Sequence, residues 1–319
     1  MKMFDKVIFH IRINFTRDAE RIAAKYHLTE CTERGVLFYK SSPLGNIDGI
    51  IMKIKGNELQ VSCSLHKLHH KTEYGTLDNA GPFTMQEAYD TAERLLSELE
   101  VPPDNVRVTY FEIGMSMPMP RPPALYISRA RAVGDNPRRE MFTDANFQKF
   151  RQKTTEKSRT KKKFFKMYDK RYEARDRGRR VINNVLRVET VYKRQNIRFK
   201  ELFSAEYIDK LTDIFSRDWA KVVFDKTVLP GNGVRRSETE KARGILTMGK
   251  DEYLRLNREE YRAGRLSPKQ WRVIREFARD WDANKARFRL EATREETEYQ
   301  AIMRTNIETA KKHAHMGTL

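Results

Sequence analysis

The chain has 319 residues and a mass of 37.7 kDa, a length that allows two ordinary domains or one domain with a large extension. A hydrophobic share of 39% with 10% aromatics is enough for a packed core, which excludes wholesale disorder, and no stretch approaches the roughly 18 consecutive apolar residues of a membrane span. Lys and Arg number 63 against 44 Asp and Glu, and the resulting net charge of +19 points to nucleic acid as the partner.

The opening residues, MKMFDKVIFHIRINF, alternate apolar and polar positions where a signal peptide would have a continuous apolar stretch. Over 5–15, Phe9, Ile11, Ile13 and Phe15 take one side and His10, Arg12 and Asn14 the other, which predicts a half-buried strand. A short helix over 17–27 and strands over 36–40 and 47–55 follow. Gly56-Asn57 then turns the chain into a strand through Leu59, Val61 and Cys63. Thr84 stands three residues before Glu87, a capping-box spacing that starts a helix running to Glu100. The Pro102–Asn105 stretch ends that helix, and 106–117 reads as the next strand. Strands interrupted by two helices predict an α+β fold with a mostly antiparallel sheet. Cys31 and Cys63 are too few for a disulfide framework or a four-cysteine zinc site, and read as buried free thiols of a reducing cytoplasm.

The proline-rich run at 115–123 (MSMPMPRPP) reads as a loop whose methionines fill space. Residues 139–157 are expected to form a polar helix, and 164–169 and 185–191 strands joined by a basic connection containing Gly178. Beyond about residue 199 the texture turns helical, with Tyr207, Leu211, Ile214, Phe215, Trp219 and Val222 at helical spacing. Three further helical segments are expected near 237–263, 267–283 and 286–312, the second opened by Ser267-Pro268. A domain boundary is therefore set near residue 200. Residues 1–120 carry 14 Lys/Arg and 16 Asp/Glu, 121–180 carry 20 and 7, and 181–319 carry 29 and 21, so the positive field centres on 151–180. Phe164, Phe165, Met167, Tyr168 and Tyr172 interrupt that basic run and anchor it to a core, as a phosphate-facing surface requires.

On a strand, Lys166, Tyr168 and Lys170 share a face, with Phe165 and Met167 on the other. A phenol flanked by two ammonium groups is a candidate nucleophile, its pKa lowered from about 10 by the positive charge. Two further strands carry an acid inside an apolar run. Glu112 shares a face with Val108 and Tyr110, and Glu189 with Val185 and Arg187. Half-buried carboxylates need a partner, and two salt bridges (Glu189 with Arg187 first) are one arrangement. In the other, Glu112, Asp169 and Glu189 converge on a divalent ion, whose all-oxygen ligation favours Mg²⁺ or Mn²⁺.

The run Lys166-Met167-Tyr168-Asp169-Lys170 with Glu173, followed by Asn184-Val185-Leu186-Arg187-Val188-Glu189, resembles the tyrosine and acidic-strand signature of rolling-circle replication initiators of the gene II/X type, from filamentous phages and small plasmids. Ser64-Leu65-His66-Lys67 at a strand end, Phe111-Glu112-Ile113-Gly114 before a Met/Pro loop, and helices near 204–224 extend the resemblance over roughly 47–225. The resemblance implies a palm-like nicking domain over 1–200 and a helical region over 201–319 that binds DNA or mediates a homodimer. It also implies site-specific nicking of one strand at an origin. Tyr168 attacks the scissile phosphate, leaving a 5′-phosphotyrosyl enzyme and a free 3′-hydroxyl, and later religates. Lys166 or Lys170 stabilises charge or activates the phenol, and a divalent ion on Glu112, Asp169 and Glu189 polarises the phosphate. His66, Lys67, Arg159, Lys161, Lys162, Lys163, Arg171 and Arg187 are the expected DNA contacts. The implied partners are single-stranded or supercoiled origin DNA and the helicase and polymerase of a bacterial host, in whose cytoplasm the protein would work, with no membrane.

Tyr172 is a candidate second nucleophile, with a packing role as the plainer reading. His313-Ala314-His315 is the one His-x-His of the chain and reads as frayed tail. His66, His69 and His70, at a strand end, lack that spacing. No Gly-rich phosphate loop followed by Lys-Ser/Thr occurs, so no ATPase or helicase domain is expected. Two rival readings are a mobilisation relaxase with similar chemistry and a non-catalytic DNA- or RNA-binding regulator. The regulator would use the basic stretch and segment 267–282, although Trp271, Ile274, Ala278 and Trp281 there look like a core-facing stripe.

Overall fold

A computed structural model describes residues 4–42, 47–79, 83–134, 139–143, 151–156, 160–176 and 183–316. In chain order the sheet elements and their helices begin with β1 (Lys6–Arg12), α1 (Phe15–Lys25), β2 (Thr29–Glu33), β3 (Val36–Lys40), β4 (Ile51–Lys55), β5 (Glu58–Ser64), α2 (Leu65–Tyr74), α3 (Met85–Glu98) and β6 (Val106–Pro118). They continue with α4 (Pro123–Arg129), β7 (Ala130–Val133), β8 (Arg139–Thr143), β9 (Gln152–Thr155), β10 (Lys163–Asp169), α5 (Lys170–Asp176) and β11 (Val185–Arg198). Then come α6 (Phe199–Leu202), α7 (Ala205–Ala220), β12 (Val223–Phe224), β13 (Lys226–Pro230), α8 (Arg236–Met248), α9 (Lys250–Arg262), α10 (Pro268–Arg279), α11 (Trp281–Lys285), β14 (Phe288–Ala292) and α12 (Arg294–Met316).

Among the described residues twelve strands form one sheet in the order β12-β7-β8-β9-β10-β11-β6-β1-β5-β4-β3-β2, and their pairings are antiparallel. The fold is thus mixed α+β, a large antiparallel sheet followed by several helices. Alternation fixes which face is dry. Val7, Phe9 and Ile11 of β1, Phe111, Ile113 and Met115 of β6, Phe165 and Met167 of β10, and Leu186 and Val188 of β11 are all buried in one core. Residues of α1, α3, α6, α7 and α12 close that core, among them Ile22, Leu95, Phe199, Trp219 and Tyr299. Trp219 packs edge-on to Phe165 at 5.5 Å, its indole N–H donates to Thr190 Oγ1 at 3.0 Å, and Tyr299 donates to the Trp219 carbonyl at 3.0 Å. Helix starts follow their caps: Asn14 for α1, Thr84 with Glu87 in a capping box for α3, Ser204 for α7 and Ser267 for α10.

A second, separate cluster takes Val228, Ala242, Ile245, Tyr253, Trp271, Ile274, Phe277, Ala278, Trp281 and Phe288. It lies within 226–292, closed at its ends by the β13–β14 pair. Apolar packing therefore does not divide at residue 200. Helices α7 and α12 belong with the sheet, and a compact unit is inserted between them.

Several expected elements differ. The 139–157 segment contains β8 and β9 rather than a polar helix; in β9 the residues Gln152, Lys153, Thr154 and Thr155 are all buried by their neighbours despite being polar. The strand expected over 106–117 keeps pairing through the Met/Pro run as far as Pro118, which faces Val185, so the loop reading of 115–118 fails. Strand β11 runs to Arg198, seven residues past the expected end. Leu65, His66, Lys67, His69 and His70, expected at a strand end, lie in α2, because the Ser64 hydroxyl accepts from the Lys67 amide and caps a helix there. The expected helix over 237–263 breaks at Gly249, whose φ of 87° suits glycine. Phe288–Ala292 is strand, so the last helix starts at Arg294. Cys63 is a buried thiol with its pKa pushed up to about 12 by burial, whereas Cys31 is partly exposed. Among the described residues no helix is long and apolar enough to cross a membrane.

Candidate active site

The sheet face opposite the core carries a band of polar side chains on neighbouring strands. Register builds it: Lys166 faces Glu189 and Tyr168 faces Arg187 across β10–β11, while Glu189 faces Gly114 and Arg187 faces Ser116 across β11–β6. These side chains border a cleft of about 590 Å³ lined by Asp5, Lys67, Glu112, Lys166, Tyr168, Lys170 and Glu189, among others. The expected shared face of Lys166 and Tyr168 is present, and Lys170, the first residue of α5, also lines the cleft.

Glu189 is the hub. It is 2% exposed, and its Oε1 accepts from the Tyr168 hydroxyl at 2.9 Å and from Arg187 Nε at 2.8 Å, while Oε2 lies 2.6 Å from Lys166 Nζ. Lys166 also reaches Glu112 Oε2 at 3.0 Å, so one ammonium bridges two carboxylates. The other Glu112 oxygen accepts from the Tyr110 hydroxyl. Arg187, 1% exposed, is pinned on three sides, by Glu189, by Asp5 Oδ2 at 3.3 Å and by Ser116 Oγ at 3.1 Å. Asp5 accepts from Ser64 at 2.6 Å and from Asn79 at 3.4 Å. Lys170 donates to Asn79 at 3.2 Å and pairs with Glu173 at 2.8 Å.

The electrostatics follow from burial and pairing. Burial works against a charged Glu189, but Lys166 and Arg187 outweigh it and hold its pKa well below the ordinary carboxylate value. Burial likewise disfavours the Lys166 ammonium, and Glu189 and Glu112 outweigh that, raising its pKa. For Tyr168 the expectation is reversed. Burial first, then the Glu189 charge, push the phenol well above 10, with Arg187 acting in the other direction. The phenol is therefore held protonated, donating to the Glu189 carboxylate.

The other expected residues separate. Asp169 lies on the opposite side of β10 from Tyr168, where it accepts from the Tyr172 amide at 3.1 Å at the start of α5, so the three-carboxylate set of Glu112, Asp169 and Glu189 is not assembled. Among the described residues no group of three or more His, Cys, Asp or Glu side chains has metal-holding geometry. Glu112 and Glu189 remain together, converging on a single cation. That cation is the Lys166 ammonium, which lies between them; the two carboxylates are oxygen donors of the kind Mg²⁺ takes.

Of the expected DNA contacts, Lys67 lines the cleft, Lys161, Lys162 and Arg171 are exposed, and Arg159 lies outside the described residues. Three do not offer themselves to DNA. His66 is 1% exposed and stacks on Phe83 at 4.6 Å, Arg187 is the buried clamp, and Lys163 turns to the core face and pairs with Asp218 at 2.5 Å. Tyr172 packs under the Arg151 guanidinium, 5.1 Å away, and is not among the cleft-lining residues.

Sequence reasoning missed Asp5, Asn79 and Gly114. Gly114 had a local signal, a glycine inside a strand, which marks close approach. A Cβ there would lie 2.8 Å from Glu189 Cγ and 2.9 Å from the Val188 carbonyl oxygen. Asp5 and Asn79 had none, since each reaches the site only through tertiary contacts. No family model matches the chain, and no curated protein matches its sequence.

Proposed function

We propose that the protein is a DNA nicking and closing enzyme, a rolling-circle replication initiator that cuts one strand at an origin through Tyr168. The observation that carries the reading is the Tyr168 hydroxyl donating to Glu189 inside a cleft that also presents Lys67, Lys166 and Lys170. The phenol oxygen attacks phosphorus, and its proton passes to Glu189. The P–O3′ bond breaks, leaving a 5′-phosphotyrosyl link and a 3′-oxygen that takes up a proton. Religation runs the same steps backwards, because the phosphodiester energy is retained in the protein–DNA bond.

Lys166 and Lys170 stabilise charge on the phosphate oxygens. Glu112 and Glu189 would hold a Mg²⁺ or Mn²⁺ ion, which when bound neutralises charge on the scissile phosphate. The exposed Lys161, Lys162 and Arg171 guide the strand in a salt-dependent way. In this reading the large sheet is a palm-like platform, and the substrate is single-stranded or supercoiled origin DNA used with the host's helicase and polymerase.

The test incubates the protein with single-stranded or supercoiled DNA of the replicon that encodes it, with Mn²⁺, and looks for covalent protein–DNA adducts. Tyr168→Phe should abolish them, and Glu112→Ala should abolish cutting while DNA is still bound. Undiminished adducts with Tyr168→Phe would remove Tyr168 from this role. Binding without cleavage under every metal condition would leave a non-catalytic regulator.

A further inference from the structure

Residues 226–292 carry 17 Lys/Arg against 10 Asp/Glu. Several of these cations are paired locally: Arg255 pairs with Glu252 and Glu259, Arg265 with Glu260, Arg279 with Asp280 and Arg287 with Glu238. Three further cations come together where α9 meets α10. A groove of about 310 Å³ there is lined by Lys250, Leu254, Arg258, Trp271, Arg275 and Arg279. The four cations are exposed, and among the described residues no ion pair holds Lys250, Arg258 or Arg275. Like charges brought together on rigid elements repel, and that repulsion is relieved when an anion spans them.

The groove reads charge rather than bases. Trp271 is 9% exposed and belongs to the inner cluster, so it offers no open ring for an unstacked base. Its role at the surface is to steady Arg275, whose guanidinium stands 5.8 Å over the ring. Arginines from two packed helices present planar donor forks at fixed spacing, which suits the regular phosphate rows of a duplex more than a flexible single strand.

We infer that the α9–α10 groove grips the phosphate backbone of double-stranded DNA, through Lys250, Arg258 and Arg275. This deepens the proposed function, since it makes the inserted unit the hold on duplex beside the strand that the cleft cuts, but the grip itself does not depend on the cleft's chemistry.

The test uses the full chain and a fluorescently labelled duplex of about 20 base pairs, with anisotropy measured across a salt series. Arg258→Gln/Arg275→Gln should lower duplex affinity at least about tenfold at low salt and make the slope of log K against log salt shallower by about 2, one for each phosphate no longer neutralised. A charge-matched control, Arg12→Gln/Arg34→Gln at exposed positions of the sheet domain, should change the slope little. Adduct formation on a short single strand should persist in the groove variant. Equal duplex binding by groove variant and control would overturn the inference, as would a loss confined to single-strand binding. If no adduct forms in any variant but duplex binding still weakens in the groove variant, the cleft reading fails and the groove stands.

Discussion

A methyl group added at Gly114 would stand 2.8 Å from Glu189 Cγ, 2.9 Å from the Val188 carbonyl oxygen and 3.0 Å from Arg187 Nη2. Carbon atoms pack at roughly 3.5–4.0 Å, so Glu189 must retreat by at least about 0.7 Å. The carbonyl is backbone and yields only if β6 parts from β11, while Glu189 is tied by Lys166, Arg187 and Tyr168 at 2.6, 2.8 and 2.9 Å. Overpacking of this kind costs about 1–3 kcal/mol. Gly114→Ala should therefore lower the unfolding free energy in urea by that amount, through an earlier midpoint with the m-value unchanged. A displacement of about 1 Å at a reacting group costs on the order of a hundredfold in rate, so adduct formation should fall by about that factor, far more than the stability loss explains. A Gly114→Ala protein with the wild-type midpoint would refute the close packing of the site. One that is destabilised yet forms adducts at the full rate would refute Glu189 as the group that must stay in place.

Lys166→Met leaves the buried Glu189 and the half-buried Glu112 without their shared cation and should cost about 3–5 kcal/mol, partly restored in Lys166→Met/Glu189→Gln; equal stability of the single variant and wild type in urea would contradict the bridging role. Burial disfavours the charged Glu298, but hydrogen bonds from Tyr126, Arg294 and Arg121 outweigh it and bring its pKa down to about 2. A depressed carboxylate contributes stability that is complete above about pH 4.5 and lost as pH falls towards 2, so Glu298→Gln should flatten that part of the stability–pH curve; an unchanged acid limb would refute it. Trp219→Ala removes a fully buried indole together with its hydrogen bond to Thr190 and should cost about 3–5 kcal/mol in thermal or urea unfolding, and a loss below about 1 kcal/mol would show that α7 does not pack on the sheet as described.

The sequence was most legible where local chemistry decides. Strand β1 follows from alternation, α3 from the Thr84–Glu87 box, and the common face of Lys166 and Tyr168 from parity within β10. Helix α2 was hidden because its His- and Lys-rich run has few apolar residues to show a period, and only the Ser64 cap marks it. Strand β9 was hidden because its buried residues are polar. The two strands that close the inserted unit are short, and one ends in Pro230, which argues against a strand on its own. At the site, counting neighbouring charges gave the wrong direction for Tyr168, since a string of letters records two nearby lysines but not the depth at which the phenol sits. Grouping Asp169 with Glu112 and Glu189 went against the parity that puts Lys166 and Tyr168 on one face. Adjacent residues on a strand face opposite ways, so the acid next to the tyrosine could not share its cleft.

The β13–β14 pairing sets Lys226 opposite Ala292, so the chain enters and leaves the inserted unit at points about 5 Å apart. A segment whose ends are neighbours and whose apolar residues close on themselves is a cassette. Recombination can exchange it, or an engineer can replace it with a short glycine bridge, while the strands that carry Tyr168 and Glu189 keep their register. The inserted unit and the sheet that bears the cleft can thus evolve at separate rates.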